Sequence, residues 1–364
     1  MTVDLTSTGT SPTTDIGTPS RTPLRKRASL PRWAPAAVLA AVLGAVLVVQ
    51  LVTTFNVVAL LVATAVLYTA GIYAISRSVE GRRKATDRLV TAVVTSAFGL
   101  ALIPLVSVIV TVVGNGIARL DGEFFTYSMR GIVGAGGGAY HAIMGTLIVT
   151  GLAALMSVPL GMLTAIYLVE YGRGRLASGI TFLVDVMTGI PSIVAGLFAY
   201  ALFAVFFGPG VRMGFGGAVA LAVLMTPVVV RSTEEMLKLV PNDLREAAFA
   251  LGIPKWRTIV KVVLPTSLAG IATGVTLAIA RVIGETAPLL VIAGTTTSMN
   301  LNPFEGRMAT LPVFSYYSYV SPGVPRDPYL DRAWTAALTL ILIVMVLNLL
   351  ARLISKIFSP KTGR

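Results

Sequence analysis

Residues 241–265 read PNDLREAAFALGIPKWRTIVKVVLP, a polar and well-punctuated stretch between two long apolar segments. Asp243 and Glu246 stand three residues apart, which is the spacing of a capping box and predicts that a helix begins here. Gly252 followed by Pro254 predicts where that helix ends, because glycine closes helices and proline prevents them from resuming. The stretch therefore contains a short helix rather than a plain connector.

One face of this predicted helix is narrow and carries small or apolar side chains at positions i, i+3, i+4 and i+7. These are Leu244, Ala247, Ala248 and Leu251. Such a stripe suits a groove on a partner protein. On spacing alone, a helix that packs against its own domain is the simpler alternative.

The composition around this stretch is that of a membrane protein. The 364 residues have a mean hydropathy of +0.83, and 55% are hydrophobic while only 12% are charged. With no cysteine and one histidine, the chain lacks the groups for thiol catalysis, disulfides, histidine-rich metal sites or a Ser/His/Asp triad. Enzymatic chemistry is therefore disfavoured. The net charge of +13 fits either nucleic acid or anionic lipid, so the placement of the charges decides.

Eight apolar segments are long enough to predict eight membrane spans. They cover about residues 34–52, 55–75, 89–113, 142–168, 179–207, 214–230, 258–293 and 333–354. With a cytoplasmic N-terminus, the external loops hold only Arg119, Arg130, Arg212, Arg307, Arg326 and Arg332. Arg281 lies deep inside a span, and the other 22 of the 29 lysines and arginines lie in cytoplasmic segments or at the cytoplasmic ends of spans. The positive-inside rule therefore predicts a multi-pass protein of the plasma membrane with both termini in the cytoplasm, facing lipid rather than nucleic acid.

The segments predict four regions. Residues 1–32 form a basic tail that is too polar to fold and is expected to be disordered, and 33–88 form an accessory transmembrane hairpin. A six-span core follows at 89–355, with a cytoplasmic coupling loop at 231–257, and 356–364 form a second cytoplasmic tail. The fold class is all-α and polytopic.

The seventh span carries charges inside the membrane, which mark functional candidates by default. Arg281 and Glu285 are four residues apart, so on one helix they could pair, and Thr286 adds a hydroxyl beside them. Pro288 cannot donate a backbone hydrogen bond, which predicts a break in the helix near Gly284. The charges either form a structural ion pair or line a path in which Arg281 attracts an anion and Glu285 prevents its trapping.

Arg231, at the end of the sixth span, also allows a structural and a functional interpretation. It is placed where a cytoplasmic anchor would naturally stand, or it provides a second, inner cationic station. Asp185 could pair with it, but the sequence cannot bring the two together.

The loop resembles the cytoplasmic loop of ABC importer permeases. The resemblance rests on Glu246-Ala247-Ala248, on Gly252, and on Leu264-Pro265, with Val262 where isoleucine is common. In that family the loop docks into the ATPase subunit. The chain has no Gly-x-x-x-x-Gly-Lys-Ser/Thr loop with which to bind ATP itself.

The run from Ala280 to Leu289 resembles phosphate-specific permeases, as do 227–241 and Asp185 to Pro191. The similarity covers about residues 89–355 and is greatest to their A-type (PstA) subunits. It implies the fold of type I importers, with Arg281, Glu285, Thr286 and Arg231 along the substrate path. It also implies a paralogous C-type permease, two ATPase subunits that carry ATP and Mg²⁺, and an extracytoplasmic phosphate-binding protein. No cofactor is expected on this chain.

The expected function is phosphate import by alternating access, with energy supplied by a separate ATPase. A permease for another solute, such as sulfate, molybdate or an amino acid, would keep the loop and differ around Gly284 to Pro288. A secondary transporter or channel would need no docking helix. A membrane enzyme lacks a cluster of nucleophile, base and metal ligands.

Overall fold

The computed structural model describes residues 29–53 and 55–358, and within these ranges it contains helices and no strand. The helices are, in chain order, α1 (Ala34–Val52), α2 (Val57–Val79), α3 (Arg82–Gly116), α4 (Gly122–Thr126), α5 (Tyr140–Ile166), α6 (Gly174–Thr188), α7 (Ser192–Phe207), α8 (Gly214–Lys238), α9 (Asn242–Ala250), α10 (Lys255–Thr258), α11 (Leu264–Val282), α12 (Ala287–Ile292), α13 (Leu311–Val320) and α14 (Asp327–Phe358). Two π-helical turns, Tyr167–Tyr171 and Ile259–Val263, extend α5 and join α10 to α11.

The described chain has seven helices that are long and apolar enough to cross a membrane. They begin at Ala34, Val57, Arg82, Tyr140, Gly214, Lys255 and Asp327, and the bent pair α6–α7 would make an eighth span. The all-α, polytopic fold class is therefore confirmed, and every apolar segment of the sequence coincides with a helix or a pair of helices.

The fifth predicted span, at about residues 179–207, is formed by two helices. α6 and α7 are bent by 109° at a short break, where Gly189 ends α6 and Pro191 precedes α7. The residue before a proline is disfavoured in the helical conformation, so the chain breaks at Ile190 although its apolar character continues. The sequence predicts the span but not its bend, because hydropathy carries no information about the direction of a helix axis.

Several helix ends also differ from the prediction. α8 continues to Lys238 rather than ending at 230, and α10 begins at Lys255. The segment between these two helices is therefore 239–254 and not the predicted loop 231–257. α14 continues to Phe358, past the predicted end of the core at 355. In α8, mostly polar residues extend the helix beyond its apolar stretch, since an amphipathic end needs no hydrocarbon around it. Residues 1–28 and 359–364 of the predicted tails lie outside the described residues.

The chain divides into two compact units between Ser107 and Val108. In the first unit α1 and α2 form the predicted hairpin, and Asn56 caps α2 by accepting hydrogen bonds from the backbone of Val58 and Ala59. The boundary predicted at 88/89 falls inside α3, because the basic residues from Arg82 to Arg88 form its first turns. The last residues of the predicted tail are held there, since Leu30 N donates to Glu80 Oε1 at 2.8 Å.

The second unit is built around α8, the most buried of its spans. α8 packs against α5, α7, α11 and α12, and Leu221, Met225 and Val229 are fully buried in the shared core. Close approach depends on small residues: a Cβ added at Gly161 of α5 would lie 2.8 Å from Val229. Lipid is as apolar as these side chains, so such tight packing rather than the hydrophobic effect stabilises the bundle.

Candidate coupling surface and translocation site

Helix α9 forms where the sequence predicts a docking helix, but its cap differs. Pro241 holds the N-cap position without a side-chain hydrogen bond, and Asp243 lies in the first turn. The predicted capping box between Asp243 and Glu246 was therefore wrong, because the helix begins two residues earlier than the Asp243 cap requires. The carboxylate of Asp243 still faces the positive end of the helix dipole.

The other end of α9 follows the prediction. Gly252 adopts φ +74° and its amide donates to Phe249 O, while Ile253 N donates to Ala248 O. These two bonds form a Schellman motif, which needs a left-handed residue at Gly252. Pro254 then caps α10.

The predicted stripe on α9 is split between two environments. Ala248 is 4% exposed and packs inward, whereas Leu244 is 41% exposed and Leu251 80%. Glu246, Ala247 and Gly252 are exposed as well. Of the resembling residues downstream, Leu264 packs into the core at the start of α11 and Pro265 is exposed. The helix rests on its own domain along one edge and presents most of the stripe outward.

Two further apolar side chains of this loop are exposed. Phe249 is 45% exposed and Trp256 58% exposed, with Arg257 lying over the Trp256 ring at 5.3 Å. Several large exposed apolar side chains in one short stretch of chain favour an interaction surface. We call Leu244, Phe249, Leu251 and Trp256 the coupling patch.

Arg245 attaches α9 to the rest of the second unit, and no sequence pattern predicts this contact. Its Nε and Nη2 donate to Glu170 Oε1 at 3.1 and 3.0 Å, and Nη1 and Nη2 donate to Val240 O and Leu237 O at 2.6 and 3.0 Å. The Glu170 side chain is 6% exposed and lies in the π-helical turn after α5. Lys255 adds a bond to Glu170 O. Glu170 and Arg245 are 75 residues apart, so no local pattern could reveal the pair.

The break predicted in the seventh span is confirmed. α11 ends at Val282 and α12 begins at Ala287, with Pro288 in its first turn, where a missing amide proton costs nothing. Glu285 N still donates to Val282 O at 3.1 Å, and Leu290 N donates to Thr286 O at 3.0 Å. The break thus exposes Gly284 and leaves Glu285 and Thr286 partly exposed.

Arg281 lies in the last turn of α11, and its side chain is exposed. Among the described residues no carboxylate lies within 4.0 Å of its guanidinium, and Glu285 forms no ion pair. The i, i+4 pair considered from the sequence does not form, because the helix stops between the two residues and they no longer share a face. The positive charge of Arg281 is left available.

A cavity of about 360 Å³ lies next to this break. Gly284 and Thr286 line it together with polar and aromatic groups of α13 and α14, among them Ser315, Tyr316 and Trp334. α13 itself is half buried, since Leu311 and Val313 are enclosed while Tyr316 and Tyr319 are 44% and 50% exposed. The hydroxyls of Thr286, Ser315 and Tyr316 and the backbone at the helix break therefore line the same cavity.

Arg231 holds a different position from Arg281, because carboxylates surround it. It donates to Asp185 of α6 and, through Nη1, to Glu234 Oε2 at 2.8 Å. Lys238 Nζ binds the other oxygen of Glu234 at 2.6 Å. The pair with Asp185 that the sequence left open is formed, and it ties the bent α6 to α8.

Arg332 of α14 is a buried cation that contacts the loop following α4. Its position in the sequence predicted only an external charge. Its side chain is fully buried, and Nη1 donates to Gly134 O and Gly136 O, both at 2.7 Å. The guanidinium also lies 4.5 Å from the Tyr329 ring centre. Within the described ranges its Nε and Nη2 have no protein partner. Arg332 therefore organises the glycine-rich loop around 131–138.

Comparison with known proteins agrees with this architecture. A family model described as binding-protein-dependent transport system inner membrane component matches residues 157–364. The phosphate transport system permease protein PstA 1 of Mycobacterium tuberculosis is 47% identical over 276 residues, covering 75% of this chain and 90% of that relative. The PstA protein of Pasteurella multocida is 40% identical over 287 residues, covering 78% and 97%.

Among solved structures, a bacterial alginate ABC transporter in complex with an alginate pentasaccharide-bound periplasmic protein shares the fold. The TM-score is 0.52 at 15% identity, over 77% of this chain and 97% of that one. At this identity the likeness concerns the fold alone. By sequence, the chain belongs to the binding-protein-dependent transport permeases and, among these, to the PstA family of phosphate transport system permeases.

Proposed function

We propose that this protein is the permease subunit through which an ATP-binding-cassette importer moves inorganic phosphate across the plasma membrane. The observation that carries the proposal is the exposed Arg281, at a break in a membrane-spanning helix and with no carboxylate partner in the part of the chain that the structure describes. A cation inside a span is costly unless it serves a solute or a water-filled path. The PstA relatives supply the identity of the anion.

Two arginines in contrasting surroundings define the proposed path. Arg281, which has no carboxylate partner among the described residues, meets phosphate first, and Glu285 and Thr286 at the adjoining helix break keep the interaction reversible. Arg231 is already bound by Asp185 and Glu234, so phosphate at that station competes with carboxylates and is held weakly. Weak, stepwise binding favours passage over trapping.

The coupling patch is the proposed contact with the ATPase. ATP binding by that partner moves α9, and Arg245 passes the movement to Glu170 after α5 and to the end of α8. The helices then reorient around the path in alternating access. Leu244, Glu246, Ala247, Ala248, Leu251 and Gly252 form or support this contact, and Leu264 and Pro265 fix the start of the following helix.

As a permease subunit the chain performs no chemistry on its solute. We propose that ATP and Mg²⁺ are bound by two separate ATPase subunits, and that a C-type permease and an extracytoplasmic phosphate-binding protein complete the importer. In the proposed orientation α9 and both termini face the cytoplasm, as the distribution of lysine and arginine requires.

Labelled phosphate uptake at low external phosphate tests the proposal, in a host that lacks this gene and has no other phosphate importer. The intact protein should restore uptake, and Arg281→Ala should reduce it by roughly ten- to a hundredfold, since a charge-assisted hydrogen bond is worth about 1.5–3 kcal/mol. Arg281→Lys keeps the charge and should retain part of the activity.

Arg175→Ala is the matched control, because Arg175 is an exposed arginine of α6 that forms no ion pair among the described residues. Copurification of the ATPase with each variant separates loss of transport from loss of assembly. If Arg281→Ala transports phosphate as the intact protein does, the proposed path is wrong. If the intact protein restores nothing, phosphate is not the solute.

A further inference from the structure

Two adjoining grooves lie on the first unit. One, of about 550 Å³, is basic and lies over the first turns of α3, lined by Arg82, Arg83, Thr86, Asp87 and Val90. The other, of about 480 Å³, is apolar and lies between α2 and α3. It is lined by Ala65, Val66, Thr69, Ala70, Tyr73, Leu89, Val93, Ser96, Ala97 and Leu100.

The grooves meet on α3. Val90 lines the basic groove, and its neighbours Leu89 and Val93 line the apolar one. Residues three or four apart lie one above the other on a helix, so the lining passes from charged to apolar along nearly one face. A ligand that fills both grooves must be an amphiphile with a polar head at the start of α3.

The charge at the mouth is positive and largely uncommitted. The side chains of Arg82 and Arg83 are exposed, and within the described chain they form no ion pair. Arg77, also exposed, follows Tyr73 by four residues on α2 and so lies above the apolar groove. Only Asp87 opposes them in the lining.

The nearby acid Glu80 does not neutralise Arg82 or Arg83, because it is paired with another arginine, Arg88. Arg88 binds Glu80 through Nε at 2.6 Å and Nη2 at 3.0 Å, but it lines a separate cavity on another side of α3. Glu80 is thus paired with Arg88, and Asp87 is the one acid in the lining of the basic groove, so Arg82 and Arg83 leave a net positive charge there for an external anion.

We propose that the two grooves together bind one anionic phospholipid, with its phosphate at Arg82 and Arg83 and an acyl chain between α2 and α3. Guanidinium groups match phosphate geometry, and basic side chains beside a span select anionic lipid. Ala70 and Ala97 leave the space that the chain fills. Inorganic phosphate shares the headgroup chemistry but would leave the apolar groove empty.

Native mass spectrometry of the purified full-length protein tests this, with phosphatidylglycerol or phosphatidylcholine of identical acyl chains added. Phosphatidylglycerol should be retained preferentially. Arg82→Gln/Arg83→Gln should weaken its retention by roughly tenfold or more, because each basic side chain near an anionic lipid is worth on the order of a fivefold change. Arg173→Gln/Arg175→Gln removes the same charge from exposed sites in the second unit and should change nothing.

A second pair of variants tests the apolar groove without touching a charge. Ala97→Trp fills the groove from an exposed position and should abolish the preference, whereas Ala74→Trp, on the exposed surface of α2 outside the groove, should not. Excess inorganic phosphate should leave the bound lipid in place. Equal retention of the two lipids, equal losses in both arginine pairs, or displacement by phosphate would overturn the proposal.

Discussion

Replacing Arg245 by methionine should release the coupling helix from its domain. The change keeps most of the side-chain volume but leaves the Glu170 carboxylate, 6% exposed, without its partner, and it removes the donors to Val240 O and Leu237 O. Breaking a buried ion pair from one side costs about 3–5 kcal/mol. Because the Arg245 side chain is 13% exposed, we expect about 3 kcal/mol.

Hydrogen exchange of the purified protein measures this loss locally. About 3 kcal/mol corresponds to roughly a hundredfold faster exchange of the α9 amides, while the amides of α8 near Met225 should exchange unchanged. Arg175→Met, at an exposed arginine, is the control and should leave α9 protected. The double variant Arg245→Met/Glu170→Leu should recover much of the protection, since no unpaired charge remains.

The same hydrogen-exchange experiment can refute the proposed role of Arg245. If α9 in Arg245→Met exchanges at the rate of the intact protein, Arg245 does not hold the helix. If the double variant exchanges as fast as the single one, the cost comes from lost packing rather than from the stranded carboxylate.

Three further predictions concern the loop and the first unit. Glu246→Lys should weaken copurification of the ATPase because it reverses a charge within the docking surface, whereas Glu235→Lys, exposed on α8, should not; equal binding by both variants would contradict the proposed contact. Gly252→Ala should cost about 1 kcal/mol at φ +74°, seen as a lower thermal midpoint and faster exchange at the end of α9, and an unchanged midpoint and exchange rate would count against the Schellman end. Hydrogen bonding from Arg88 lowers the pKa of Glu80 from 4.5 to about 2, so its stabilising effect is complete above pH 4.5 and is lost as the pH falls towards 2. The difference in thermal midpoint between the intact protein and Glu80→Gln should therefore be smaller at pH 3 than at pH 6, and a difference that grows on acidification would refute the assignment.

Much of the fold could be predicted because membrane spans are long and apolar. The loop punctuation at Gly252 and the proline at 288 act within a single turn, so their effects, a Schellman end and a helix break, were also readable from the sequence. The bend between α6 and α7 was not, since Gly189 and Pro191 interrupt an apolar run without changing its hydropathy.

The candidate site was predictable in its members but not in its contacts. Arg281 lies within an apolar segment and Arg231 at the end of one, and only the structure shows that Arg231 is bound by Asp185 while Arg281 has no carboxylate partner in the described ranges. Two contacts join residues far apart in the chain: the Arg245–Glu170 pair, and the hydrogen bonds from Arg332 to the glycine-rich loop. A single sequence contains no signal for such pairs, because neither residue type nor spacing identifies the partner.

The attachment of Arg245 to Leu237 O has a thermodynamic consequence. Leu237 and Arg231 lie on the same helix, roughly 9 Å apart at 1.5 Å per residue, so a force on α9 acts near the carboxylates around Arg231. If docking of the ATPase shifts the affinity of Arg231 for an anion, linkage requires that anion binding shift the affinity for the ATPase by the same factor. A permease with bound solute would then bind its ATPase with a different affinity from an empty one. Solute binding would in this way change the affinity for the partner that supplies the energy.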